Sequence, residues 1–253
     1  MVNATDNGTL SYIRTAALDA ESDTIGFDYV AATRSYRARY LGDTIEAAAT
    51  SKLYLGTTYD EFSQAPEGAA LGDYFARTSL RSDLKFVGIV LWRFAQPKPN
   101  ETGATFRIHR MLFGERTVPS DLPSTGAATF EATAEFTENE NYNITVPSIG
   151  GTRSATARMI VDWQARTLTG FVRVFPPSGT GTSLQSPIDY PLTGTVSKEG
   201  KVIGTISGNG SVGTLNGNIY GPRGAEIGIV YTYGTTEPSG RRADYAGLAL
   251  GSQ

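Results

Sequence analysis

A two-residue period of apolar and polar side chains constrains this chain more than any other feature. In residues 127–136, Ala128, Phe130, Ala132, Ala134 and Phe136 alternate with Thr129, Glu131, Thr133 and Glu135. Ala157, Met159, Val161 and Trp163 alternate in the same way with Thr156, Arg158, Ile160 and Asp162. Leu168, Gly170, Val172 and Val174 oppose Thr167, Thr169 and Arg173, and Ile227, Ile229, Tyr231 and Tyr233 oppose Glu226, Gly228 and Thr232. Successive side chains of a strand point to opposite faces, so these runs are half-buried antiparallel strands, wet on one side. A helical period is weak throughout. Its best attempt is GDTIEAAAT at 42–50, good for about two turns.

Turn chemistry separates the strands. Gln164-Ala165, Glu199-Gly200 and Asn209-Gly210 sit where short hairpin turns belong. Asn216-Gly217 lies inside a run, as a bulge or a close approach of backbones would require. GNGSVG at 208–213 matches the G-x-G-x-x-G pattern, but it continues as strand where dinucleotide binding needs a helix N-terminus, so it reads as a turn. FVGIVLWRF at 86–94 is apolar on both faces: Phe86, Val90, Trp92 and Phe94 suit a barrel core, and Val87, Ile89 and Leu91 then need a second cover. Strand-like runs at 24–32, 34–41 and 52–59 supply that cover. The expected fold is all-β, with a small handle-like N-terminal sheet packed on an eight-stranded antiparallel β-barrel, because closure removes the edges that invite aggregation. Residues 1–9 read as a flexible tether, 10–82 as the handle-like subdomain and 83–253 as the barrel.

Composition narrows the function. The net charge of −3 and the lack of a basic stripe argue against nucleic acid. With no cysteine, disulfides, thiol catalysis and cysteine metal sites are excluded. With one histidine, multi-histidine metal hydrolysis is excluded too, and no G-x-S-x-G elbow accompanies it. The carboxylates show no spacing that singles out a pair. The chain therefore reads as a binder and not as an enzyme. No apolar run is long enough for a membrane helix. The opening MVNATDNGTL lacks signal-peptide features, which fits either a cytosolic protein or a sequence that starts after a leader.

Four blocks resemble the C-terminal barrel of transferrin-binding protein B and related bacterial surface lipoproteins. They are FVGIVLWRF; FGERTVPSDLPSTGAATFEATAEF, through Gly114, Thr117, Pro123, Gly126, Ala128 and Phe130; SATARMIVDWQARTLTGFV, through Asp162, Trp163 and Gly170; and NIYGPRGAEIGIVYTY followed by ADYAGLALG. Ile229 stands where that family usually has a second Gly, and a lipidated Cys is missing. The resemblance implies display on the bacterial outer membrane by a lipid anchor that this sequence lacks. It also implies capture of a nutrient or host protein, handed to a TonB-dependent transporter. At this length the chain is more similar to single-lobe haemophore and solute-binding relatives than to two-lobed transferrin binders.

The best candidate surface is rich in Tyr and Arg, residues favoured at interface hot spots: Tyr29, Tyr36, Arg37, Arg39 and Tyr54. His109, on the strand face with Arg107 and Met111, is a candidate haem ligand, and otherwise a surface histidine. No resident cofactor is expected, and haem is the possible ligand. Two other readings stand beside nutrient capture: a haem carrier using His109 or a tyrosine, and a structural or assembly subunit with no ligand.

Overall fold

A computed structural model describes the backbone of residues 2–4, 10–12, 25–30, 32, 35–40, 43–48, 52–55, 59–63, 74–78, 83–97, 104–139, 152–175, 186–208, 210–236 and 242–253. It describes side chains at 32, 35, 37, 83–89, 112–135, 155–175, 186–208, 210–234 and 245–253. Strands dominate the described residues, and the only helical elements among them are two 3-10 turns. The first ten strands are β1 (Val2–Ala4), β2 (Leu10–Tyr12), β3 (Ile25–Val30), β4 (Ser35–Tyr40), β5 (Asp43–Ala48), β6 (Lys52–Leu55), β7 (Tyr59–Ser63), β8 (Tyr74–Thr78), β9 (Val87–Pro97) and β10 (Ala104–Gly114). The remaining eight are β11 (Ala127–Asn139), β12 (Thr152–Asp162), β13 (Thr167–Val174), β14 (Ile188–Val196), β15 (Lys201–Gly208), β16 (Ser211–Tyr220), β17 (Glu226–Thr236) and β18 (Arg242–Ser252).

These strands form three sheets. A seven-stranded sheet has the order β2-β1-β10-β9-β8-β7-β6, β3-β4-β5 form a three-stranded sheet, and β11 to β18 close into a barrel. The chain divides into two compact units interleaved in sequence. One comprises Met1–Ser82, Gly88–Phe113 and Asn141–Pro147, the other Asp83–Val87, Gly114–Glu140 and Ser148–Gln253.

Two local expectations differ from the structure. Residues 43–48 are strand β5, paired with β4 from Asp43↔Tyr40 to Ala48↔Ser35, and not a short helix. A helix that short is marginal by itself, whereas pairing with β4 extends along the whole run, and Thr44 and Ile45 are β-branched. FVGIVLWRF is not a barrel stave: β9 pairs with β8, from Tyr74↔Arg93 to Thr78↔Ile89, and neighbours β10 in the seven-stranded sheet. The barrel draws its full complement from β11 to β18 and leaves no edge for β9.

The barrel follows the alternation. Phe130, Ala132, Met159, Val161, Leu168 and Val172 are all buried in one core cluster, joined by Leu192, Val202, Ile206, Leu215, Ile227 and Ile229. Glu131 is exposed on the other face. Closure is direct: β18 pairs with β17 on one side and with β11 on the other, from Glu131↔Ser252 to Asn139↔Asp244. An eight-stranded barrel is just wide enough for side chains to fill, and Phe130, Met159, Leu168 and Tyr231 do so.

The two ends of the barrel are built differently. At one end the segment 115–126 crosses between strands. Leu122 enters the core, Thr117 Oγ1 donates to Gly221 O at 2.5 Å, and Trp163 N donates to Gly126 O at 2.9 Å. At the other end Tyr233 meets Tyr190 edge to face and Tyr245 at a tilt, with ring centroids 5.4 and 5.9 Å apart. There the Tyr233 hydroxyl donates to Gly208 O, and the Tyr231 hydroxyl donates to Glu135 O at 2.6 Å. Gly208 pairs with Ser211 across a two-residue turn, and Gly210 has φ 75°, the left-handed conformation that such a turn assigns to glycine. Asn216-Gly217 keeps regular register with β15 and β17 and is a close approach, since a Cβ at Gly217 would lie 2.1 Å from Gly228 O.

Replacing Phe130, fully buried among these side chains, with alanine is expected to lower stability by about 3–5 kcal/mol. Denaturant titration of the full chain checks this. A change below about 1 kcal/mol contradicts the packed interior.

Candidate recognition surface

Four of the six residues singled out from the sequence fall on the three-stranded sheet. The register aligns Tyr29 with Tyr36 and Tyr36 with Ala47, which forms one row across β3, β4 and β5. Arg37 aligns with Asp28 and Glu46, and Arg39 with Gly26 and Thr44. Neighbouring rows of a pleated sheet belong to opposite faces, so the tyrosine row and the two arginine rows alternate. The other two residues lie on the seven-stranded sheet: Tyr54 in β6, opposite Glu61, and His109 in β10. Arg37 is half-buried. The side chains of Tyr29, Tyr36, Arg39, Tyr54 and His109 lie outside the described residues. The acidic positions in register with Arg37, Asp28 and Glu46, are not among the residues chosen from the sequence. Pairing the two hairpins by their turns is the signal that would have found them.

The barrel wall has its own chemistry. Thr169, Thr193, Thr205, Thr214 and Thr232 align as a single row from β13 to β17. Hydroxyl hydrogen bonds of 3.0 Å join Thr193 to Thr205, and of 3.1 Å join Thr214 to Thr232. Such cross-strand pairs support a sheet on its wet side. Arg173 holds Asp189 with two bonds of 2.7 Å and lies 5.0 Å from the Phe171 ring centroid. The hydrogen bond to Asp189 raises the Arg173 guanidinium and lowers the Asp189 carboxyl from their ordinary ranges. Both groups stay charged, and the pair is exposed enough that water screens most of its energy.

Among the described residues of the core cluster, the ionisable side chains are Tyr190, Tyr231 and Tyr233. Burial, with smaller contributions from Glu135 and Tyr190, pushes the Tyr231 phenol well above its ordinary range. Burial also raises Tyr220, which lies outside the core cluster, beside Gly228. Among the described residues no group of three His, Asp or Glu side chains is arranged to hold a metal ion. No helix among them is long and apolar enough to cross a membrane.

A closed antiparallel eight-stranded barrel with a threonine row on its wall and an interior filled by its own side chains is the scaffold that the described residues define. The family model describing the C-lobe and N-lobe β-barrels of transferrin-binding protein B matches residues 122–248, half of the chain, and the chain belongs to that family. Among solved structures, it is similar to a double mutant of the vaccine antigen transferrin-binding protein B from Haemophilus parasuis Hp5, with 14% identity, TM-score 0.49, and coverage of 100% of this chain and 44% of that one. It is similar to the isotype 1 transferrin-binding protein B from serogroup B Neisseria meningitidis, with 14% identity, TM-score 0.47, and coverage of 100% and 43%. It is also similar to the N-lobe domain of lactoferrin-binding protein B of Moraxella bovis, with 13% identity, TM-score 0.43, and coverage of 74% and 81%. The chain thus spans less than half the length of the two transferrin-binding protein B chains. No curated protein sequence matches it.

The buried phenol predicts an alkaline limit to stability. An unfolded tyrosine ionises near pH 10, and native Tyr231 does not follow it. Its contribution is fully present below about pH 10 and is lost above, at about 1.4 kcal/mol per pH unit. The thermal midpoint is expected to hold between pH 7 and 9 and to fall beyond 10. Tyr231→Phe should fall less steeply, with Tyr220 accounting for part of the remaining slope. Equal alkaline slopes in the two proteins would contradict the assignment.

Proposed function

We propose that this chain is the soluble part of a bacterial outer-membrane surface lipoprotein. In this reading it binds an iron-bearing host protein or another nutrient, performs no chemistry on it, and passes it to a TonB-dependent transporter. The observation that carries the reading is membership of the transferrin-binding protein B barrel family over residues 122–248. Family membership supports capture of transferrin or lactoferrin for iron uptake, and lipid-anchored display at the cell surface.

The recognition surface in this proposal is the N-terminal sheet and not the barrel interior. Two observations support the division. The interior is occupied by Phe130, Met159, Leu168, Leu192, Ile206 and Leu215, each less than 2% exposed, which leaves a rigid scaffold. The β3-β4-β5 sheet meanwhile carries the Tyr29–Tyr36 row on one face and the arginine rows on the other, and tyrosine suits a large contact area with a polar tip. Side elements carried by a rigid barrel are where binding residues concentrate.

Surface plasmon resonance against iron-loaded transferrin, iron-loaded lactoferrin and haem tests the proposal. Capture of either protein is expected. Tyr36→Ala combined with Tyr54→Ala should weaken that capture about tenfold or more while the thermal midpoint moves little. Haem capture lost in His109→Ala would favour the carrier reading instead. Binding that survives both tyrosine changes but is lost in Met159→Trp would place the ligand inside the barrel and defeat the proposal.

A further inference from the structure

We propose that Asp83–Val87 is a latch on the outer wall of the barrel that opens while the barrel stays folded, with the Glu226 carboxylate as its catch. The surface beneath it is a groove for extended main chain, occupied by the chain's own residues. This inference does not depend on which ligand the protein takes.

Glu226 opens β17 at a position whose alternation points away from the core, yet it is only 3% exposed. Its Oε1 accepts the Lys85 amide at 2.7 Å, and its Oε2 accepts the Phe86 and Val87 amides, each at 2.9 Å. A run of successive backbone N–H groups facing one anion is the arrangement of a main-chain anion nest, here filled by an intramolecular carboxylate. The carboxylate is not the only fastening: Leu84 and Val87 are buried, at 8% and 5% exposure. Glu115 N donates to Phe86 O at 2.9 Å, and Ser252 Oγ donates to Asp83 Oδ2 at 3.2 Å. The Phe86 ring lies over Gly221, where φ is 71° and an added Cβ would come within 2.4 Å of the ring. Val87 packs over Gly228, where an added Cβ would lie 3.1 Å from Val87 Cγ2. Glycines at these two positions form the floor of the groove.

These contacts are separable from the barrel. None of residues 83–87 belongs to the core cluster, and the ring is closed by β11 against β18 without them. Lifting the latch therefore leaves no open edge in the barrel and no cavity in its core, and it returns the Glu226 carboxylate to water. In sequence the latch is flanked on both sides by residues of the other unit, Met1–Ser82 and Gly88–Phe113. Opening turns it from a clamped segment into linker. Openings of this kind, smaller than global unfolding, are what native-state amide exchange resolves.

The test is residue-resolved hydrogen exchange on the full chain under native conditions. In the wild type, the Lys85, Phe86 and Val87 amides should exchange faster than the slowest amides of β12 and β17, yet stay protected relative to free peptide. Glu226→Gln keeps one acceptor oxygen and turns an NH2 group towards the same donors. It should speed those three amides roughly 100-fold or more and leave β12 and β17 unchanged. Phe86→Ala, which keeps the carboxylate, should speed the same three about tenfold. The proposal is overturned if barrel and latch amides accelerate together in either variant, or if wild-type latch amides match the slowest barrel amides. It is also overturned if the three amides do not respond to Glu226→Gln. Should Glu226→Gln not fold, the wild type and Phe86→Ala decide the question.

Discussion

The antiparallel pairing of β11 with β18 is the contact on which the barrel depends. Without it, β11 to β18 would form an open sheet whose two end strands present unpaired N–H and C=O groups, a template for aggregation. With it, Ala132 faces Gly251 and Ala134 faces Ala249 across the seam. Small residues there let the first and last strands meet while Phe130, Met159 and Leu168 fill the middle. Closure also converts alternation into a sealed core: one parity is surrounded on all sides, and the other faces outward, exposed at Thr193 and Thr205 but buried at Glu226, Leu248 and Leu250.

A core of that kind constrains function as much as it supports stability. Interiors packed to crystal-like density transmit strain and admit no ligand without rearrangement. The Tyr231 and Tyr233 hydroxyls, which could have served as polar contacts for a guest, are already spent on the Glu135 and Gly208 carbonyls. The wall between the ends carries the aligned threonines of β13 to β17, with hydroxyls bonded to one another. The proposed recognition surface is accordingly placed on the N-terminal strands.

What the sequence disclosed follows from what a period of two can encode. The inward residues of β11, β12, β13 and β17 were legible because each stave repeats one local rule. So were the turns at Glu199-Gly200 and Asn209-Gly210, where Gly200 and Gly210 have φ of 80° and 75°. The membership of β9 was not legible, because FVGIVLWRF is apolar on both faces and periodicity cannot say which sheet an element joins. The strand at Asp43–Ala48 was hidden by alanines, whose helix preference yields to a ladder supplied by β4. Glu226 shows the same limit from the other side: its parity marks it as solvent-facing, and only a segment some 140 residues distant buries it. For the candidate site, the Tyr and Arg content was legible, but its division into alternate rows, and the alignment of Asp28 and Glu46 with Arg37, depended on strand register.

The central claim is that a packed barrel presents recognition elements that lie outside its interior. Site-specific photo-crosslinking tests it most directly, with a photoreactive phenylalanine placed either at position 36 or at position 190 of the full chain and iron-loaded transferrin or lactoferrin as the probe. The account predicts a cross-linked product from position 36 and none from position 190, where Tyr190 is buried beside Tyr233. A product from position 190 with none from position 36 would contradict it.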